Sequence, residues 1–174
     1  MNNEMKPARI LALIPAHNEA GRIGPVIDAV KHFLPVLVVD DGSEDDTTSV
    51  AQAHGALVIR QEPNQGKGAA LLNGFRHFLS GEYDAVLTLD ADGQHDPAEI
   101  PLFIEKFERD HSDLIIGKRD FHKMPFPRNL SNAFGTRMFS SALKVFIPDN
   151  QSGYRLHSHR LVESAMNSQE HGFE

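Results

Sequence analysis

"AVLTLDADGQHDPAEI", residues 85–100, holds a strand, a turn and a helix start in direct succession. Ala85 to Leu89 is an apolar run broken only by Thr88, as expected of a strand buried on both faces of a parallel sheet. Asp96 followed by Pro97 reads as an N-cap with proline at the first helical position, and the spacing behind it predicts a helix over 97–110. The same transition recurs along the chain. "RILALIP" (9–15), "VLVVD" (36–40), "ALVIR" (56–60) and "DLIIG" (113–117) predict four further strands, with helices over 24–34, 46–54 and 67–79. Ser43 with Asp46 three residues on resembles a capping box for the second of these helices. Gly66 and Gly68 permit a tight entry into the third. Strand and helix in alternation predict an α/β fold, a mostly parallel central sheet flanked by helices on both faces. With no repeat, low-complexity tract or linker, one domain is expected.

The composition agrees. A chain of 174 residues, 40% hydrophobic and 24% charged, is an ordinary globular sequence, long enough to bury most of its apolar surface. The absence of cysteine excludes disulfides and thiolate metal sites. No apolar run approaches the roughly 20 residues of a membrane-spanning helix, and "MNNEMKPAR" lacks a signal peptide's apolar core, so a cytoplasmic location is expected. The net charge of −7 hides a division: residues 1–117 carry 9 basic and 19 acidic side chains, residues 118–160 carry 8 and 2. A basic segment in an acidic chain suits a local anion or anionic surface. No nucleic-acid partner is expected.

In open α/β sheets ligands bind beyond the carboxyl ends of the strands. Here those ends carry "PAHNE", "DDGSEDD", "DADGQH" and "GKRD". Asp90 and Asp92 are two apart, and a chain still extended there sends both to one side. Neighbouring carboxylates are costly unless a cation neutralises them or one stays protonated. Mg²⁺ or Mn²⁺ would suit, with Gln94 continuing the alternation as a third oxygen donor. Asp96 is set aside as a cap.

The motifs "IPAHNE", "VVDDGSEDDT", "NQGKGAALLNG", "TLDADGQHDP", "GKR" and "DNQSGYRL", in this order from about residue 10 to 173, resemble the family 2 glycosyltransferases with a GT-A fold. They are most like the branch of dolichol-phosphate mannosyltransferase and bacterial polyprenyl-phosphate glycosyltransferases. The resemblance implies a nucleotide-sugar donor, UDP- or GDP-linked, with its diphosphate bridged to Asp90, Asp92 and Gln94 by Mg²⁺ or Mn²⁺. It places Pro15, Ala16 and Glu19 beside the nucleotide, Glu19 as ribose partner, and Asp41 or its neighbour Asp40 as acceptor of a base N–H. His17 stands where relatives often have tyrosine and is given no catalytic role. G-x-x-x-x-G-K-[ST] is absent, so "GKG" is not a P-loop; Lys67 either touches the donor or is solvated, and the second is expected.

For the acceptor, the resemblance implies a polyprenyl phosphate held by Arg119, Arg128 and Ser131, arginine forks being suited to phosphate. Inversion by direct attack at the sugar C1 is expected. A phosphate acceptor is already ionised, whereas a sugar-hydroxyl acceptor would need a base, for which Asp149 is the candidate. Residues 130–146 are predicted to form an amphipathic helix whose apolar stripe reads first as core packing; with "FHKMPFP" before it, peripheral contact at the cytoplasmic face of a membrane is the alternative. A single GT-A domain over 1–174 is expected; relatives typically continue beyond "HGFE", which leaves a compact version and a C-terminally shortened piece as alternatives. Two rival readings are a non-catalytic nucleotide-sugar binding module and a nucleotidyltransferase. "PAHNEAGRIG" poorly matches the Gly-rich basic signature that a nucleotidyltransferase would carry.

Overall fold

Leu11 and Leu13 face one way from the first strand and Ile10, Ala12 and Ile14 the other, and all five are buried. A strand this apolar on both faces must lie mid-sheet with a layer on each side. The computed structural model, which describes residues 7–117 and 153–170, places it there. Along the chain run β1 (Ile10–Ala16), α1 (Ile23–Val30), β2 (Val36–Asp41), α2 (Thr47–Ala53), β3 (Leu57–Gln61), α3 (Lys67–Ser80) and β4 (Ala85–Thr88). A 3₁₀ turn (Pro97–Glu99) leads into α4 (Ile100–Asp110), and β5 (Leu114–Ile116), β6 (Arg155–Ser158) and α5 (His159–Glu170) follow. The sheet order is β3-β2-β1-β4-β6-β5. Pairs β1–β2, β2–β3 and β1–β4 are parallel, as the alternating pattern predicts. β6 is the exception, antiparallel to β4 on one side and β5 on the other.

The two layers follow from period-2 strands meeting period-3.6 helices. On one face, even-numbered residues of β1 and β2 pack against Ile23, Val26, Ile27 and Val30 of α1, Ala51 of α2, and Ile100, Phe103 and Phe107 of α4. These spacings of three and four put each set on one helical stripe. On the other face, Leu11, Leu13, Leu37, Val39 and Val86 meet Ala70 and Phe78 of α3 and Val162 of α5. Each fully buried aliphatic side chain contributes roughly 1.5–3 kcal/mol, so the central strands anchor both layers. Among the described residues, no helix is long and apolar enough to cross a membrane. The helix predicted over 130–146 lies outside the described residues.

Three local expectations change. The fourth strand ends at Thr88, and the chain turns at Ala91–Asp92 with Gly93 at φ 76°. Asp92 therefore stands on a turn and Asp90 just before it, both beyond the end of the strand. Ser43 does not cap α2: its Oγ accepts from the Asn18 N–H at 2.9 Å, while Asp45 Oδ1 accepts from the Thr47 N–H at 3.0 Å. β6 and α5 have no counterpart in the sequence pattern. Asp96 does cap as expected, accepting from the Ala98 N–H at 2.9 Å, and Gly66 enters α3 at φ 87°, a left-handed value that suits glycine.

β6 also carries a pH-sensitive group. His157 packs edge-on against Phe75, centroids 5.6 Å apart; burial, with Arg155 adding to it, pushes its pKa down to about 4 from an ordinary 6.5. Between those values the unfolded chain binds more protons than the folded one, so stability rises with pH across that window. Unfolding free energy at pH 4.5 should fall below that at pH 7 by about 2 kcal/mol from this group. Urea unfolding of His157→Gln at both pH values should show a correspondingly smaller difference than the wild type.

Candidate functional site

The sheet order reverses at β1, whose neighbours are β2 on one side and β4 on the other. Register puts Leu13 opposite Thr88 and Ala16 opposite Asp40, so the carboxyl ends of β1, β2 and β4 open into one crevice. A cavity of about 270 Å³ lies there, lined by Pro15, Ala16, His17, Glu19, Asp41, Lys67, Ala70, Asp90, Ala91 and Asp92. Pro15, Ala16, Glu19, Asp41, Asp90 and Asp92, separated by up to 77 positions in sequence (92 − 15), are thus brought together.

The loop after β1 is stapled to the loop after β2. Asn18, at φ 55°, donates its N–H to Ser43 Oγ and accepts the Glu44 N–H on its side-chain oxygen at 2.8 Å. The Glu19 N–H donates to Thr47 Oγ1 at 2.8 Å, and the Ala20 N–H to Asp45 Oδ2 at 3.1 Å. Short polar side chains in "HNEA" and "GSEDDT" thereby satisfy backbone groups that strand ends leave unpaired. His17 Nδ1 lies 2.9 Å from the Asp41 carbonyl oxygen. A carbonyl only accepts, so Nδ1 carries the proton and Nε2 is left to accept from the Asn18 amide at 3.1 Å. Glu19 is largely covered; Arg22 Nε stands 2.7 Å from its Oε2, yet off hydrogen-bonding geometry, leaving that oxygen buried without a hydrogen bond.

Asp40 and Asp41 part company here. Adjacent strand residues point to opposite faces, and Asp40 turns toward α2, fully buried. It accepts from the Ser43 N–H at 2.9 Å, from the Thr48 hydroxyl, and pairs with Arg60 at 3.3 Å. It does not line the cavity. Asp41 does, with Oδ1 held by the Gln61 amide at 2.6 Å and the Gln65 N–H at 2.8 Å. Burial disfavours its charge, but these donors outweigh it and hold the pKa below the usual carboxylate range.

Asp90 is the most strongly perturbed of the lining acids. The His95 ring, Nε2 3.5 Å from Oδ2, and the Lys67 ammonium, paired with Oδ1, overcome burial and hold its pKa at about 2. It is a carboxylate at any physiological pH. Asp92 stands half-exposed beside it, accepting the Gln94 N–H at 3.0 Å. The Gln94 side chain is exposed and outside the cavity lining. Arg119, Arg128, Ser131 and Asp149 lie outside the described residues.

One lining residue was undervalued by the sequence. Lys67, expected to be solvated, is the first residue of α3, and that helix begins at the carboxyl edge of the sheet, where its ammonium reaches Asp90. His17 is held in the lining by its hydrogen bonds to the Asp41 carbonyl and the Asn18 amide. The usable signal was positional: a lysine opening the helix after β3 falls on the binding edge.

Comparisons with known proteins fit this geometry. The family model described as glycosyl transferase family 2 matches residues 12–164. An uncharacterized protein of Methanocaldococcus jannaschii is 33% identical over 161 residues, spanning 84% of this chain and 70% of that protein. The undecaprenyl-phosphate mannosyltransferase of Micrococcus luteus is 31% identical over 160 residues, 84% of this chain and 65% of that one. Among solved structures, glucosyl-3-phosphoglycerate synthase from Mycobacterium tuberculosis, in complex with Mn²⁺, UDP and phosphoglyceric acid, matches with a TM-score of 0.72 at 25% identity. That match covers 88% of this chain and 56% of the synthase, so the chain spans little more than half of that structure. The α/β sheet is the GT-A fold, and the chain belongs to glycosyl transferase family 2.

Proposed function

We propose that the protein transfers a sugar with inversion from a nucleotide-sugar, UDP- or GDP-linked, to a polyprenyl phosphate. The observation that carries the donor half is the convergence of Glu19, Asp41, Lys67, Asp90 and Asp92 on one cavity at the sheet's switch point. Glu19 and Asp41 supply carboxylates for ribose hydroxyls and a base N–H, with Pro15 and Ala16 as the wall beneath the nucleotide.

Asp90 and Asp92 fit a hard divalent cation, Mg²⁺ or Mn²⁺. Asp90 is ionised and already holds a cation, the Lys67 ammonium. Among the described residues no three His, Cys, Asp or Glu side chains converge on one point. Two carboxylates with diphosphate and water completing the shell is a usual arrangement for Mg²⁺. Such an ion would supply charge neutralisation of the leaving diphosphate, and Gln94 joins it only if its exposed side chain turns inward. The Lys67 ammonium can follow the diphosphate as its negative charge develops, the electrostatic assistance that loss of such a leaving group requires. In the transfer, an acceptor oxygen bonds to C1 as the C1–O bond to the diphosphate breaks, the electron pair leaving with the nucleoside diphosphate.

For the acceptor, the similarity to an undecaprenyl-phosphate mannosyltransferase supports a lipid phosphate, with Arg119, Arg128 and Ser131 of the basic segment as its proposed partners. Peripheral contact with a membrane would follow from such an acceptor. A hydroxyl acceptor would instead call on Asp149 as base.

The test is incubation with Mn²⁺, radiolabelled UDP- and GDP-sugars and polyprenyl phosphate. Label moving into the lipid fraction supports the reading. Saturable donor binding with no transfer to lipid, hydroxyl compound or water would identify a binding module instead.

A further inference from the structure

Because β6 runs antiparallel to β4, its first residues arrive at the sheet's binding edge, beside Asp90. Thr88, the last residue of β4, is buried and shares its hydroxyl between the Gly153 carbonyl at 2.9 Å and the Arg155 carbonyl at 3.2 Å. This fixes the backbone of residue 153 against the acid. A side-chain carbon built on Gly153 would stand 2.7 and 2.8 Å from the two Asp90 carboxylate oxygens and 3.0 Å from Cγ. Those separations are well inside van der Waals contact. Gly153 is not among the glycines in the left-handed region, so an alanine meets no backbone strain and the substitution reads the contact alone.

The surroundings leave the carboxylate little room to move aside. The buried His95 ring stands over Oδ2 and packs on the Tyr154 ring, centroids 4.9 Å apart. Tyr154 is clamped in turn: its hydroxyl donates to the Asp96 carbonyl at 3.2 Å, its ring packs on Phe103 at 4.6 Å, and its carbonyl accepts the Gly117 N–H at 2.9 Å. The ends of β4, β5 and β6 are thereby locked around one acid.

We propose that Gly153 is a positioning residue for the nucleotide-binding cation: its missing side chain sets where the Asp90 carboxylate stands, between Lys67 and His95 and facing the donor cavity. The inference rests on the donor reading given above. A displacement of about 0.5 Å is enough to spoil a coordinating or catalytic constellation, and relief of contacts at 2.7 Å demands a shift of that order.

The test is calorimetric titration of UDP and of GDP into wild type and Gly153→Ala, with Mn²⁺ and with EDTA. The expected result is a loss of about 10–100-fold in the Mn²⁺-dependent affinity, with affinity in EDTA close to wild type and Tm lowered only by the several degrees that overpacking costs, a pattern that general damage to the fold would not produce. A folded Gly153→Ala protein with undiminished Mn²⁺-dependent affinity overturns the proposal. Should that variant not fold, Thr88→Val and Thr88→Ser decide: loss of Mn²⁺-dependent affinity in Val with retention in Ser supports it, and equal behaviour overturns it. If wild type itself gains no affinity from Mn²⁺, the donor reading fails, an outcome distinct from failure at Gly153 alone.

Discussion

Asp90→Ala should abolish cation-dependent donor binding while leaving the protein folded. The acid supplies one of two carboxylates for the proposed ion, so its loss should exceed the 10–100-fold penalty typical of outer-shell partners; a fall in Mn²⁺-dependent nucleotide affinity of about 100-fold or more is expected. Turnover should fall by roughly 10³-fold, the scale seen when a principal electrostatic stabiliser is removed. Stability should fall by no more than about 1–2 kcal/mol. Two partners are left behind: Lys67 is half-exposed and returns to water, while the largely buried His95 ring loses the carboxylate beside it. Asp90→Asn is the steric control, with nearly the same loss expected, because charge rather than shape is what a divalent cation requires. Nucleotide titrations beside thermal unfolding separate the two effects. Loss of Tm without loss of affinity would make Asp90 a structural acid.

The second large effect separates two adjacent residues. Asp40→Ala removes the buried acceptor shared by the Ser43 N–H, the Thr48 hydroxyl and Arg60. Stranding buried donors and unpairing an arginine should cost about 2–4 kcal/mol, a drop in Tm of roughly 5–15 °C for a domain of this size. Once folded at low temperature, that variant should bind nucleotide nearly as wild type does. Asp41→Asn should do the reverse. Its oxygen can still accept from Gln61 and Gln65 while the charge offered to the cavity is gone, so Tm should stay within a few degrees and nucleotide affinity should fall about 10-fold. Identical responses from the two variants would mean that strand parity does not divide their roles.

That parity was legible in the sequence and passed over. Leu37, Val39 and Asp41 share one face of β2 and Val36, Val38 and Asp40 the other, so only one acid of the pair can look toward α3 and the cavity. Strand and helix positions up to β5 were readable because each strand is a dense apolar run and each helix between them carries its own stripe or cap. β6 was not. "RLHS" is short, polar at three of its four positions and inserted antiparallel between β4 and β5, and nothing in its four residues states which neighbours it will take. The end of β4 was also misjudged: Leu89 continues the apolar run, but Gly93 turns the chain two residues after Ala91 begins to leave the sheet. The site acids were identifiable from type and order of motifs. Their neighbours were harder, because Lys67 and Gly153 reach Asp90 from 23 and 63 positions away (90 − 67 and 153 − 90), and no local pattern encodes such meetings.

The most direct measurement is anomalous diffraction from crystals soaked with Mn²⁺ and UDP or GDP. The predicted result is a manganese peak within roughly 2–2.5 Å of carboxylate oxygens from both Asp90 and Asp92, contacting the nucleotide's diphosphate, with the Lys67 ammonium displaced from Asp90. A nucleotide bound in the cavity with manganese elsewhere, or with Lys67 still paired to Asp90 and no ion between, would contradict it.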